Sequence, residues 1–263
     1  PPEVRLPFPL LERFMRDVFI GLGVPNADAA ICANVLIQAD RLGFDSHGIS
    51  RLKPIYYDRI RAGTQLARTR CRTVRNRGAT AVLDGGNGMG HVVAHRAMTL
   101  AIQKAKTHGV GMVAVRNSTH FGIAGYYPLM AVRAGMIGLC GTNARPSIAP
   151  TFGVENMLGT NPLTFALPTS DKFPFLLDCA TSIIQRGKVE IHAKLDQPLP
   201  KGWVISHDGS FQTDPHAVLA NLIAGTAALL PLGGAGEAFA GYKGYGYATV
   251  VEILSAALQQ GAY

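Results

Sequence analysis

Val110-Gly111-Met112-Val113-Ala114-Val115-Arg116-Asn117-Ser118-Thr119-His120-Phe121-Gly122 is the stretch on which the reading of the fold depends. The apolar run from Val110 to Val115 reads as a buried strand. It opens into polar residues and a glycine, which is how open sheets deliver side chains to a cleft. His120 stands where that strand ends. Toward the N-terminus, Ala81-Val82-Leu83-Asp84 reads as a short strand, Gly85 to Gly90 as a turn, and His91 to Thr107 as an amphipathic helix stopped by Gly109. Toward the C-terminus, Ala124 to Ala134 has helical spacing, and Met136 to Cys140 is a further strand ending at Thr142-Asn143. This alternation defines an α/β layer. Leu163 to Leu167, Phe173 to Leu177 and Trp203 to Ser206 continue it as strands, and helical periodicity returns at Ala217 to Ala228 and at Tyr245 to Gln260.

Ahead of this layer the pattern is helical. Pro9 to Leu22 places apolar residues at helical spacing, Gly23 closes the run, and Asn26 is positioned to cap a second helix reaching Leu42. Ser46 is positioned to cap a third, in which His47 and Arg51, four apart, would share one face and Pro54 would kink the chain. The expected organisation is a helical layer over residues 1–78 and an α/β layer over residues 79–263.

At 263 residues, 48% hydrophobic and 16% charged, the chain can bury a full core. No apolar run reaches the ~20 residues of a membrane helix, and no basic-then-apolar segment opens the chain, so the expected location is the cytoplasm. Cys32, Cys71, Cys140 and Cys179 are isolated, which points to buried thiols rather than a disulfide framework or metal cluster. The net charge of +8 includes a cluster of Arg68, Arg70, Arg72, Arg75 and Arg77. It has no interleaved aromatics, so it reads as a solvated strand or loop rather than a nucleic-acid groove. A positive field also draws acidic metabolites and dinucleotides.

Chemistry concentrates at a few places. Asp45-Ser46-His47-Gly48 with Arg51, set beside His120, pairs imidazoles with a guanidinium. Imidazole exchanges protons near neutral pH and guanidinium clamps carboxylates, so the set points to a small organic acid. Asn143 and Arg145 stand at another strand end. Neither Gly85-Gly86-Asn87-Gly88-Met89-Gly90 nor Gly233-Gly234-Ala235-Gly236 has the Rossmann spacing, and the first reads as a plain turn. Gly241-Tyr242-Lys243-Gly244-Tyr245-Gly246 leads into a helix whose free amides, with Lys243, suit phosphate or carboxylate; a purely structural role is equally open. Asp178-Cys179-Ala180-Thr181-Ser182 offers a carboxylate and hydroxyls at a strand end and, taken alone, would be a capped helix start. His91, His95, His108, His192 and His216 show no metal-ligand spacing and read as surface or satisfied histidines. No serine-hydrolase elbow or nucleotide-triphosphate loop occurs. What remains is acid/base chemistry with an external hydride carrier.

Taken together, Asp45–Gly48 with Arg51, Asn117–Gly122, Leu158-Gly159-Thr160-Asn161-Pro162, Asp178–Ser182 and Lys243–Gly246 resemble, in order and rough spacing, the malate/L-lactate dehydrogenase family that is unrelated to Rossmann-type enzymes. The family interconverts 2-oxo and 2-hydroxy acids with NAD or NADP; its relatives include malate, sulfolactate and ureidoglycolate dehydrogenases, diketogulonate reductase and a cyclic-imine reductase. The resemblance implies a non-Rossmann, mixed-sheet dinucleotide-binding domain with an N-terminal helical layer closing over substrate, in a homodimer. It assigns His47 and His120 to the active site, Arg51 to the substrate carboxylate and Tyr56, one residue out of register, to the substrate pocket. Ala144, Asp178, Cys179 and Ala180 then fall at dinucleotide contacts, with Thr181 and Lys243 beside them. Asn143 becomes a further cofactor contact and Arg145 a further substrate contact. The expected substrate pair is malate and oxaloacetate and the expected cofactor NAD, with NADP open. Another oxo acid, a cyclic imine, or dinucleotide binding without turnover are the alternatives. The chain ends at Tyr263, where family members continue, so a segment that adds cofactor contacts is expected to be lacking; Tyr242 stands where a histidine is common.

Overall fold

The computed structural model describes residues 5–261; positions 1–4 and 262–263 of the two expected layers lie outside the described residues. Helix α1 (Phe8–Gly21) carries Pro9 in its first turn, where a missing N–H is tolerated. It buries Met15 and Phe19 completely against Cys32, Ala33, Leu36 and Ile37 of α2 (Asn26–Arg41). Each such apolar side chain contributes about 1.5–3 kcal/mol when taken out of water. Asn26 is not the expected cap. Pro25 holds the cap position without a side-chain bond, and Asn26 Oδ1 instead accepts from Arg16 Nε at 3.0 Å and Nη2 at 2.6 Å, tying α2 to α1. The other face of α2, Val35 and Ala39, packs on Ile123, Tyr126 and Tyr127, so the helix is a central element.

The expected third helix does not start at Ser46. The chain instead makes a turn, a single 3-10 turn over Ile49–Arg51, a wide π turn over Leu52–Tyr57 and the short α3 (Asp58–Arg61). Pro54, which has no N–H to give, lies inside the π turn.

Strands β1 (Arg72–Arg77), β2 (Thr80–Asp84) and β3 (Met112–Arg116) form a sheet in that order, antiparallel between β1 and β2 and parallel between β2 and β3. The crossover is α4 (Gly90–His108), ended by Gly109. The arginine-rich β1 is exposed along its whole length, as its charges require. Strand β3 is less buried than its apolar run suggests, because it is the other edge of a three-stranded sheet. Helix α5 (Tyr126–Arg133) follows, and β4 (Gly138–Gly141), β5 (Leu163–Leu167) and β6 (Phe175–Cys179) form a second sheet. The result is a mixed α/β protein.

After β6 the segment Asp178–Ser182 does not open a capped helix, which is what it would be if taken alone. Asp178 and Cys179 complete the strand, Ser182 Oγ donates to the Ile184 carbonyl at 2.7 Å, and α6 (Arg186–Lys194) begins later. Strand β7 (Val204–Ser206) pairs with β8 (Ala227–Leu229), and α7 (Pro215–Ala224) lies between them, capped by Asp214. The expected helix from Ala217 to Ala228 therefore breaks at Gly225, since Ala227 and Ala228 are fully buried as β8. Helix α8 (Gly241–Glu252) runs on into a π turn at Ile253–Ala257. Ile148, Val189, Leu199, Val204, Val218 and Leu229 form the core here.

The chain divides into two compact units. One comprises residues up to Cys140, Phe165–Leu177 and the end from Gln259; the other comprises Gly141–Thr164 and Asp178–Leu258. Of the four thiols, none of them in a disulfide, only Cys32 is buried. Cys71 and Cys140 are partly covered and Cys179 is exposed at the end of β6, so its apolar neighbours in sequence do not mean burial.

Candidate active site

His120 is delivered by the parallel pairing of β2 and β3, whose register sets Asp84 opposite Arg116 and so ends both strands together. The Asp84 carboxylate then gathers the loop. It accepts from Asn117 Nδ2 at 3.0 Å, from the Gly86 N–H at 3.0 Å and from Arg116 Nε at 3.2 Å. These bonds, the Asn117 one foremost, hold its pKa below the usual carboxylate range. Gly85–Gly90 is more than the plain turn expected. The Asn87 N–H donates to the Asn117 carbonyl at 2.8 Å, the Gly90 N–H to Thr119 Oγ1 at 3.0 Å, and Thr119 Oγ1 to the Gly88 carbonyl at 2.7 Å. A Cβ on Gly90 would run into the backbone oxygens of Thr119 and His120. The glycine is needed so that the start of α4 can press directly on the His120 loop.

His47 arrives differently from the expected helical stripe. Asp40 Oδ2 accepts from the Ile49 N–H at 3.0 Å, and a Cβ on Gly48 would overlap that carboxylate, so Asp45–Gly48 turns tightly over the end of α2. His47 precedes the 3-10 turn, and Arg51 reaches back from within it, donating through Nε to the Ser46 carbonyl at 2.5 Å. Ser46 Oγ lies 2.7 Å from His47 Nδ1.

These segments bring together His47, Arg51, Tyr56 and His120 within the first unit. The rings of His47 and His120 stack at 5.8 Å and 17°. Tyr56, fully buried, places its hydroxyl 2.5 Å from His120 Nδ1, to which the Gly122 N–H also donates at 3.3 Å. A backbone N–H can only donate, so Nδ1 presents its lone pair, the phenol donates to it, and the ring proton of neutral His120 sits on Nε2. Burial, then the Arg51 charge, lowers the His47 pKa to about 4. Burial, then His47, Arg59 and Arg51, lowers that of His120 to about 3. Both imidazoles are neutral at neutral pH. Burial also keeps the Tyr56 phenol protonated far above its ordinary range.

One member of this cluster was misjudged from the sequence. His91 is neither a surface nor a satisfied histidine: it is fully buried, its ring centre lies 4.6 Å from that of Tyr56, and neither ring nitrogen has a hydrogen-bond partner among the described residues. Its place between Met89 and Val92-Val93, which are also fully buried, is the signal that could have found it.

The remaining predicted residues lie in the second unit, where Asn161 is the hub. Buried completely, it accepts through Oδ1 from the Ala144 N–H at 3.0 Å and donates through Nδ2 to Glu252 Oε2 at 2.9 Å and to the Ala248 carbonyl at 3.0 Å. Glu252 Oε1 accepts from Asn143 Nδ2 at 2.9 Å. Thr181 Oγ1 donates to the Asn161 carbonyl at 3.0 Å, which draws the Asp178–Ala180 strand end to the same point. The Leu232 N–H donates to the Thr181 carbonyl at 2.8 Å, and a Cβ on Gly244 would strike the Leu232 backbone, so the glycine-rich start of α8 adjoins this strand end. Lys243 is exposed in the first turn of α8, and Ala144 and Arg145 are exposed after β4. Asn161 stands in the Leu158–Pro162 motif of the family resemblance without an assigned role, and Glu252 was not singled out from the sequence. Lys243 and Arg145 are exposed cations of the kind that pairs with a dinucleotide diphosphate, although the Lys243 N–H at the start of α8 is already given to the Ala240 carbonyl at 3.0 Å.

An α/β framework carries a buried pair of neutral imidazoles, a phenol donor and a guanidinium, the groups that acid/base chemistry uses. The chain belongs to the malate/L-lactate dehydrogenase family, whose profile matches residues 6–263, and it is a hydroxy-acid dehydrogenase using a nicotinamide cofactor. It is 46% identical over 260 residues to the malate dehydrogenase of Pyrococcus horikoshii, covering 99% of this chain and 70% of that relative. It is 43% identical over 245 residues to the L-sulfolactate dehydrogenase of Methanocaldococcus jannaschii, covering 93% and 67%. The crystal structure of malate dehydrogenase from Entamoeba histolytica superposes with a TM-score of 0.97 at 43% identity, covering 99% of this chain and 72% of that one.

Proposed function

We propose that the protein reversibly interconverts malate and oxaloacetate, and that the His47, Arg51, Tyr56 and His120 cluster does the acid/base work. The observation that carries this reading is the stacked, neutral His47–His120 pair beside a guanidinium. Arg51 binds the substrate carboxylate by a two-point contact, which orients C2. His120, protonated on Nε2 while Tyr56 donates to Nδ1, directs that N–H at the substrate oxygen and stabilises charge developing there. His47 exchanges the proton. In oxidation its neutral ring takes the hydroxyl proton, and in reduction its imidazolium returns one to the oxygen. Its Nδ1–H donates to Ser46 Oγ, 2.7 Å away, in both states, which leaves Nε2 as the nitrogen that takes and returns the proton. A carboxylate on Arg51 offsets the positive charge that depresses His47, and so raises its pKa toward the working range.

The nicotinamide, when bound, supplies or accepts the hydride. Asn143, Ala144, Asp178, Cys179, Ala180, Thr181 and Lys243 would hold the dinucleotide in a non-Rossmann manner, with Arg145 a further contact to the acid. We take the cofactor to be NAD, residues 1–78 to form the layer over the substrate and residues 79–263 to form the cofactor-binding part. The active form is taken to be a cytoplasmic homodimer; the exposed apolar residues Tyr247, Val250, Ile253 and Leu254 offer surface for a second subunit. Among the described residues no helix is long and apolar enough to cross a membrane.

The test is nicotinamide absorbance with NADH and then NADPH against oxaloacetate, pyruvate, sulfopyruvate and a cyclic imine. Oxidation of NADH fastest with oxaloacetate is the expected result. Dinucleotide binding with no turnover of any substrate would refute the proposal.

A further inference from the structure

His91 takes no part in the steps above, yet it touches the residues that set up His120. Its ring packs at 4.6 Å on Tyr56 and meets Phe19 of α1 edge-on at 6.4 Å, while Phe19 meets Tyr56 edge-on at 5.8 Å. Phe19, Tyr56 and His91 thus form a three-ring cluster in which each ring meets the other two. On another side His91 abuts Gly122: a Cβ built there would lie 3.3 Å from both Cδ2 and Nε2 of His91. Gly122 has φ +78°, so the backbone is committed to that place by a conformation glycine adopts freely. Tyr56 and Gly122 are the two donors to His120 Nδ1. One ring therefore supports both.

The chemistry of the position sharpens the point. A fully buried imidazole with neither nitrogen satisfied is costly, and an apolar side chain would avoid that cost. Leucine and methionine lack the ring that meets Tyr56 at 4.6 Å and 41°. The five-membered ring is planar and small enough for this slot. Complete burial, then the neighbouring His120, keeps it uncharged.

We infer that His91 is a positioning residue, wedged between Tyr56 and Gly122, which holds both donors on His120 Nδ1 and so fixes His120 in the Nε2-protonated tautomer. The inference rests on the acid/base reading of His120, but its consequence for the ring proton does not require turnover.

The experiment is long-range proton–nitrogen correlation NMR on the intact protein labelled with nitrogen-15 histidine, the His120 signals being identified by their loss in His120→Gln. In the native protein His120 should show the Nε2–H pattern. In His91→Leu that pattern should give way to a mixture of tautomers, with turnover of the preferred oxo acid down about 10- to 100-fold and its KM nearly unchanged. If His91→Leu does not fold, His91→Gln, which also lacks the ring, is read in the same way. A native His120 protonated on Nδ1 overturns the inference. So does a folded His91 variant that keeps both the native tautomer pattern and native turnover. A protein that reduces no oxo acid but shows the expected tautomer change would refute the proposed function and leave the positioning role standing.

Discussion

Acidification is the perturbation that most directly probes the buried imidazoles. In the unfolded chain a histidine has a pKa of about 6.5, whereas His47 is lowered to about 4 and His120 to about 3 in the native protein. His91 is displaced in the same direction by complete burial. A depressed histidine is protonated in the unfolded state first. Stability is therefore lost as pH falls below 6.5, until each native pKa is reached, and is present above that window. Between pH 7 and 5 an unfolded-state histidine gains about 2 kcal/mol of proton binding that a native ring at these values does not share. His47 and His120 together make that about 4 kcal/mol, a large share of the roughly 5–15 kcal/mol stability of a whole domain. Urea unfolding followed by far-UV circular dichroism at pH 7, 6 and 5 measures the loss. His120→Gln should reduce the pH 7 to 5 difference by about 2 kcal/mol. Taking the difference within each variant cancels the pH-independent cost of the substitution. Comparing the two slopes also removes Asp40, whose carboxyl is pushed up by burial and works in the opposite sense. Native stability that is level or higher at pH 5, or equal slopes in the two proteins, would refute neutral burial of this cluster.

Arg51→Lys keeps the charge but loses the planar fork. kcat/KM for the oxo acid should fall by the equivalent of about 1–3 kcal/mol while dinucleotide affinity, read by fluorescence titration, is unchanged. His47→Ala should cost about 100-fold or more in turnover and remove one limb of the pH–rate profile, and a variant that keeps both would exclude it as the proton-exchanging group. Gly90→Ala forces a Cβ against the Thr119 and His120 carbonyl oxygens, so denaturant unfolding should show a loss of about 1–3 kcal/mol. Native stability in that variant would show that the loop does not need its close approach to α4.

Local periodicity in the sequence determined most elements of this protein. Leu163–Leu167 was bounded to the residue, α1 and α4 to within one or two, and the arginine-rich β1 was recognised as solvated. His47, Arg51, Tyr56 and His120 were selected by residue chemistry and family resemblance, and the fold brings them into one unit. What failed depended on partners distant in the chain. Ala227 and Ala228 look helical until β7 offers them a buried ladder, and Ser46 looks like a cap until Asp40 takes the Ile49 amide. His91 looks ordinary because nothing nearby in sequence announces Tyr56 and Gly122 against it. The tautomer of His120 is likewise set by a phenol 64 positions away. Spacing encodes which face a residue occupies, because that follows from the local backbone repeat. Burial, unmet hydrogen-bonding capacity and proton placement depend on what the rest of the chain brings to that face, so only the tertiary structure decided them.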